Sequence, residues 1–295
     1  MKKYLVLMAK GLAMGAADVV PGVSGGTIAF ISGIYETLLA SIASVNFGLV
    51  KILRTEGIKG VWNAVNGSFL LPLLTGIALS ILTLSKAVTF LMDNEPIGIW
   101  SFFFGLVLSS IVLVVRMIKK PTTGVWIFGI AGIAFAYWIT ALTPSTSAEL
   151  GLPYLFFCGV IAICAMILPG ISGSFILVLL GAYRFVLDSL HERNLAVISV
   201  FAAGALIGIT SFSHVLKWLF AKYHDLTVAC LAGFMLGSLA KVWPWRSGGT
   251  VDRPASPWTW AEQGMDPQWV TAVGFAVLGT VLVLGLEYWG NRRAK

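Results

Sequence analysis

Two short stretches of the sequence carry the residues best suited to hold a charged guest. One runs Pro21-Gly22-Val23-Ser24-Gly25-Gly26-Thr27 and the other Pro169-Gly170-Ile171-Ser172-Gly173-Ser174. Each interrupts an apolar run. Proline lacks an N–H and disfavours helix at the residue before it, so each proline ends one helical arm. Ser24 and Ser172 stand where a hydroxyl caps the arm that follows, and the glycines let the backbone approach a guest closely. The expected product is a pair of helix N-termini with free N–H donors, flanked by the hydroxyls of Ser24, Thr27, Ser172 and Ser174. Such N-termini bind anions, phosphate above all. Ser24, Gly25, Gly26, Thr27, Ser172, Gly173 and Ser174 are therefore the candidate substrate contacts. One such motif alone would pass as a tight turn; two copies argue for a shared site.

The surroundings of these turns are those of a membrane protein. Of 295 residues, 58% are hydrophobic and 11% charged, against about 45–50% and about 25% in soluble domains. The mean hydropathy of +0.89 excludes disorder as well, which needs low hydrophobicity and high charge. The net charge of +7 collects at segment ends, where the positive-inside rule accounts for it, so no nucleic-acid partner is implied. Cys158, Cys164 and Cys230 all sit in apolar stretches without metal spacing, and nothing calls for a metal or cofactor. No cleavable signal is read before Asp18.

Spans of about 20 apolar residues are expected over 69–92, 97–115, 124–142, 195–220, 226–239 (extended to 243) and 269–288. The two broken regions differ. Residues 5–20 lead into the first turn and 27–45 leave it; 153–168 lead into the second and 175–187 leave it. Arms that short for about 30 Å of hydrocarbon favour re-entrant hairpins. Two full spans would also return the chain to its starting side, and 27–45 is nearly long enough to cross, so charge does not separate the alternatives.

The broken regions are copies. Residues 21–39 align without gaps on 169–187, matching Pro21/Pro169, Gly22/Gly170, Ser24/Ser172, Gly25/Gly173, Ile28/Ile176, Gly33/Gly181, Tyr35/Tyr183 and Leu39/Leu187. Downstream, Gly76, Ile81, Ser85, Leu91 and Gly105 meet Gly204, Ile209, Ser213, Leu219 and Gly233 at an offset shortened by a basic loop over 46–67. The expected fold is an all-α polytopic membrane protein of two repeats, 1–147 and 148–295, in one integrated membrane domain. Each repeat holds one hairpin and three spans, an odd number that forces inverted topology, as is common in secondary transporters. With Lys2, Lys3 and Lys10 inside, Lys51, Arg54, Lys59, Arg116, Lys119, Lys120 and Arg292-Arg293 also fall inside. Both termini are then cytoplasmic.

Charges within apolar arms are functional candidates. Asp18 either carries a coupling proton or receives N–H groups from the turn; Met166 holds its place in the second copy. Glu36 is a second possible proton carrier. Arg184 occupies the equivalent place, about 15 Å of helix beyond its tip, where a guanidinium would suit a lipid phosphate. Lys86 and His214 correspond inside apolar spans. The tryptophan-rich 241–269 region is expected at the outer surface, as an anchor or a lid.

The run Lys10-Gly11-Leu12-Ala13-Met14-Gly15-Ala16-Ala17-Asp18-Val19-Val20-Pro21-Gly22-Val23-Ser24-Gly25-Gly26-Thr27, with Leu168-Pro169-Gly170-Ile171-Ser172-Gly173-Ser174, resembles the bacterial polyprenyl-phosphate transporter family. The resemblance covers essentially the whole chain. It implies flipping of undecaprenyl phosphate, the lipid carrier of peptidoglycan and cell-wall synthesis, across the bacterial cytoplasmic membrane, with protons as a possible coupling ion and no enzyme activity. The residues alone reach only to an anion. Two rivals follow from the same layout: an undecaprenyl-diphosphate phosphatase and a carrier of small inorganic anions. The phosphatase family's second motif has an arginine after its serine where this chain has Gly173, and its Glu-rich first motif is absent.

Overall fold

A computed structural model describes residues 2–20, 23–46, 48–142, 150–246 and 254–294. The described residues are helical throughout, apart from connecting turns and one isolated bridge between Arg246 and Pro254. They cluster into two compact units, each drawn from both halves of the chain.

The first unit comprises 1–82 and 144–224. It opens with α1 (Lys2–Val19), then α2 (Gly25–Ile31) and α3 (Tyr35–Ala43), α4 (Gly48–Ala64) and the start of α5 (Gly67–Asn94). From the second half come α8 (Leu152–Ile167), α9 (Gly173–Leu179), α10 (Tyr183–His191) and the part of α11 (Leu195–Ser238) before its kink at Tyr223. The helices α1 and α2 fold back on each other, as do α8 and α9. Glycines set the long crossings. A Cβ on Gly11 or Gly76 would strike the facing backbone of α5 or α1, and one on Gly159 or Gly204 would strike that of α11 or α8. The matched pair Gly76/Gly204 is thus a pair of close-approach positions, the role small residues play between membrane helices.

The second unit comprises 83–143 and 225–295, with α6 (Pro96–Val115), α7 (Thr123–Ala141), α12 (Pro257–Glu262) and α13 (Trp269–Ala294). Here Gly105 and Gly279 bring α6 onto α13, while Gly132, Gly233 and Gly237 bring α7 onto the later part of α11. The described parts of the tryptophan-rich segment bond to one another. The indoles of Trp243, Trp245 and Trp260 donate to the carbonyls of Ala255, Pro267 and Arg246, and Trp245 packs on Ile97 and Ala272.

Among the described residues, α5, α6, α7 and α11 are long and apolar enough to cross a membrane; the last contains 195–220 and all but the final residue of 226–239. The basic stretch 46–67, expected as a loop, is instead mostly helix α4, kinked at Gly57. The arms leaving the turns differ from expectation as well. Neither is continuous: α2 meets α3 at 117° and α9 meets α10 at 111°. The break is a Schellman closure, in which the Ile34 N–H donates to Ala29 O and the Ala182 N–H to Leu177 O. Gly33 and Gly181 take φ of 70° and 69° there, and a Cβ on Gly33 would meet nothing within 4 Å. Gly33→Ala therefore tests backbone conformation alone, and Gly181→Ala imposes the same left-handed strain at the second bend. Each is expected to destabilise by about 1–2 kcal/mol, read as a lowered thermal midpoint in detergent.

Candidate anion site at the paired helix breaks

The first break is built around Ser24. Its backbone is extended, and its hydroxyl accepts the Gly26 N–H at 3.0 Å, the expected N-cap of α2. The same hydroxyl donates to Met166 O at 2.9 Å. Two further bonds cross between the breaks: the Gly170 N–H donates to Thr27 Oγ1 at 3.1 Å, and the Tyr35 hydroxyl donates to Ile167 O at 3.2 Å. The last carbonyls of a helix have no partner within it. Here the first half supplies partners for the end of α8, and the two breaks are held against each other.

Ser24 and Thr27 are fully buried, at 0% exposure, and both hydroxyls are engaged by protein. In this arrangement they join the two breaks. Gly26 is part of the same junction, since a Cβ on it would strike Ile167 O.

The second break is differently equipped. Ser172 does not cap α9; its hydroxyl lies 2.7 Å from that of Ser174. At the first break the Gly25 N–H donates to Asp18 Oδ1 at 2.7 Å, the second of the two roles foreseen for that carboxylate. Met166 holds the corresponding place beside Gly173, its side chain close to where a Cβ on that glycine would sit. A carboxylate thus sits on the start of α2, where a methionine stands beside the start of α9. Pro21 and Gly22 lie outside the described residues.

Glu36 and Arg184 are not brought to the breaks. Both follow the bends, so the straight 15 Å of helix assumed for them does not exist. Glu36 Oε1 lies 3.9 Å from His224 Nε2, and its side chain is 60% exposed. With Thr37, Ala40, Ser41, Ala64 and Asn66 it lines an open cavity of about 420 Å³. Arg184 is exposed on α10. Sequence reasoning assigned nothing to His224 and did not find Tyr35, although the match of Tyr35 to Tyr183 marked it. Of that pair Tyr35 is 3% exposed and Tyr183 37%, so the repeat pointed to both and only one joins the breaks. Among the described residues no cluster of three or more His, Cys, Asp or Glu could hold a metal.

Residues 14–256 match the undecaprenyl phosphate translocase-like family. The chain belongs to that family. It is 46% identical to a polyprenyl-phosphate transporter of Vibrio cholerae over 98% of both chains. It is 32% identical to a polyprenyl-phosphate transporter of Staphylococcus aureus, covering 80% of this chain and 84% of that one. Both relatives are named as transporters and not as enzymes, against the phosphatase alternative. No solved structure matches the chain.

Proposed function

We propose that this protein transports polyprenyl phosphate across the bacterial cytoplasmic membrane, flipping undecaprenyl phosphate back to the inner leaflet for reuse. The reading rests on membership of the family and on one structural observation: the two helix breaks are bonded to each other inside an apolar helical unit. A phosphate does not cross hydrocarbon unaided, because desolvating its charge is prohibitive, whereas an isoprenoid tail stays in lipid. Backbone that is not helical at membrane depth must be buried in protein or line a polar cavity. We take the two bent pairs as re-entrant segments of inverted repeats, 1–147 and 148–295, with both termini cytoplasmic. The phosphate would be held at the start of α9, which the Ser172 side chain does not cap, by Ser172, Gly173 and Ser174. The engaged residues Ser24, Gly25, Gly26 and Thr27 would open to it when the breaks separate, and Arg184 would capture the lipid at the outer face.

Reconstitution into liposomes, with leaflet exchange of polyprenyl phosphate followed with and without a pH gradient, tests this directly. Exchange dependent on the protein is expected. No exchange, together with phosphate release from the diphosphate, would install the enzyme in its place. Within the same assay, Ser172→Ala with Ser174→Ala removes two hydroxyls from the proposed seat and is expected to slow exchange at least about tenfold, the loss of one to two hydrogen bonds to a charged group. Unaltered exchange in that double variant would move the phosphate elsewhere.

A further inference from the structure

Each bend is clasped from the helix that precedes its break. In the first half the Lys10 ammonium on α1 donates to Ser32 O at 2.6 Å. In the second, the Tyr154 hydroxyl on α8 donates to Leu180 O at 2.8 Å. Ser32 and Leu180 are the C-cap residues of α2 and α9, and they correspond in the 148-residue offset that aligns the two breaks. The donors do not correspond. Cys158 stands in the register of Lys10, and Tyr154 stands one turn earlier. The same carbonyl is therefore reached from a different turn by a different residue, and the common element is the acceptor.

The physical need for a clasp is plain. The Schellman closure at each bend satisfies earlier carbonyls and leaves the C-cap carbonyl facing outward from the helix end, where the partial charge is negative. A seven-residue helix is far below the length that is stable by itself, so its direction is fixed by its packing on α1 or α8 and by what holds its two ends. The N-terminal ends of α2 and α9 lie at the breaks. Their C-terminal ends are held by Lys10 and Tyr154.

We infer that Lys10 and Tyr154 are positioning residues for transport: each fixes the far end of the short helix whose near end forms the proposed phosphate seat. The inference rests on the transport reading for its functional part, but the clasps themselves are testable without it.

Hydrogen–deuterium exchange in detergent reads the clasps directly. Lys10→Met is expected to speed exchange over 25–34 and leave 173–182 unchanged; Tyr154→Phe is expected to do the reverse. In liposomes the polyprenyl phosphate concentration for half-maximal transport should rise about tenfold in Lys10→Met, as for loss of one charge-assisted hydrogen bond, and about threefold in Tyr154→Phe, as for loss of one neutral hydrogen bond. Maximal rate should change less than half-saturation. Lys10→Arg, which keeps a cationic donor, should stay within about threefold of wild type, a rescue that general destabilisation would not produce. Should Lys10→Met not fold, Tyr154→Phe removes one oxygen and carries the test alone. Unchanged deuterium uptake at the corresponding bend overturns the clasps, and wild-type half-saturation in Tyr154→Phe overturns the positioning role. A wild-type protein that moved no lipid would end the transport reading, and deuterium uptake would still decide whether the clasps hold.

Discussion

Gly26→Val is expected to lower leaflet exchange of polyprenyl phosphate by about 100-fold or more, with helix content retained. A Cβ on Gly26 would strike the Ile167 carbonyl and crowd Ser24 Oγ, at 3.1 Å. Neither neighbour is the free end of a flexible chain. Ile167 O is backbone and accepts from Tyr35, and Ser24 Oγ is held by Gly26 and Met166. Overpacking a well-filled contact costs about 1–3 kcal/mol, and here it falls on the junction that joins the two breaks. A branched side chain would have to push α2 away from the end of α8, parting the Ser24, Thr27 and Tyr35 bonds together. Gly274→Ala is the control, because a Cβ there meets nothing within 4 Å, and it should leave exchange within about twofold of wild type. Equal behaviour of the two variants would mean that the junction has no part in transport.

That junction shows how far the sequence alone carries. Proline followed by glycine and serine marked both breaks, and the repeat marked Gly33, Gly181, Tyr35 and Tyr183 as equivalent positions. The interruption at 32–34 is legible in Gly33 and Gly181, since a matched glycine inside an apolar arm signals a stop, although apolar composition alone makes each arm look straight. What the residues could not disclose was partner choice. Ser24 and Ser172 are identical in type and register, yet one caps a helix and bonds across to Met166 while the other turns to Ser174. The difference lies in the neighbours: an aspartate precedes the first break and Met166 the second. Likewise the basic stretch 46–67 has too little regular apolar spacing to announce a helix, and Gly57, with φ of 68°, divides it. Long apolar helices announce themselves by composition, whereas short ones are made by the contacts at their ends.

Asp18 is where capping and proton coupling can be separated, by comparing two substitutions. Asp18→Asn keeps an oxygen able to accept the Gly25 N–H that Asp18 Oδ1 now accepts at 2.7 Å, but it cannot exchange a proton. Asp18→Ala removes the acceptor altogether. Hydrogen bonds to charged groups contribute about 1.5–3 kcal/mol, so Asp18→Ala should loosen the start of α2 and cut exchange about 10- to 100-fold. Asp18→Asn should fold as the wild type does and retain exchange without a gradient. Its response to an imposed pH gradient should disappear. The reason is linkage: a carboxylate holds an N–H more strongly than a neutral group does, so the firmness of the first break depends on whether Asp18 carries a proton. Any step that loosens the break must then favour proton uptake, and proton uptake must favour loosening, by the same factor. A wild-type gradient response in Asp18→Asn would break that link and leave Asp18 as a cap alone, since the side chain would then be holding Gly25 without its charge mattering to the cycle.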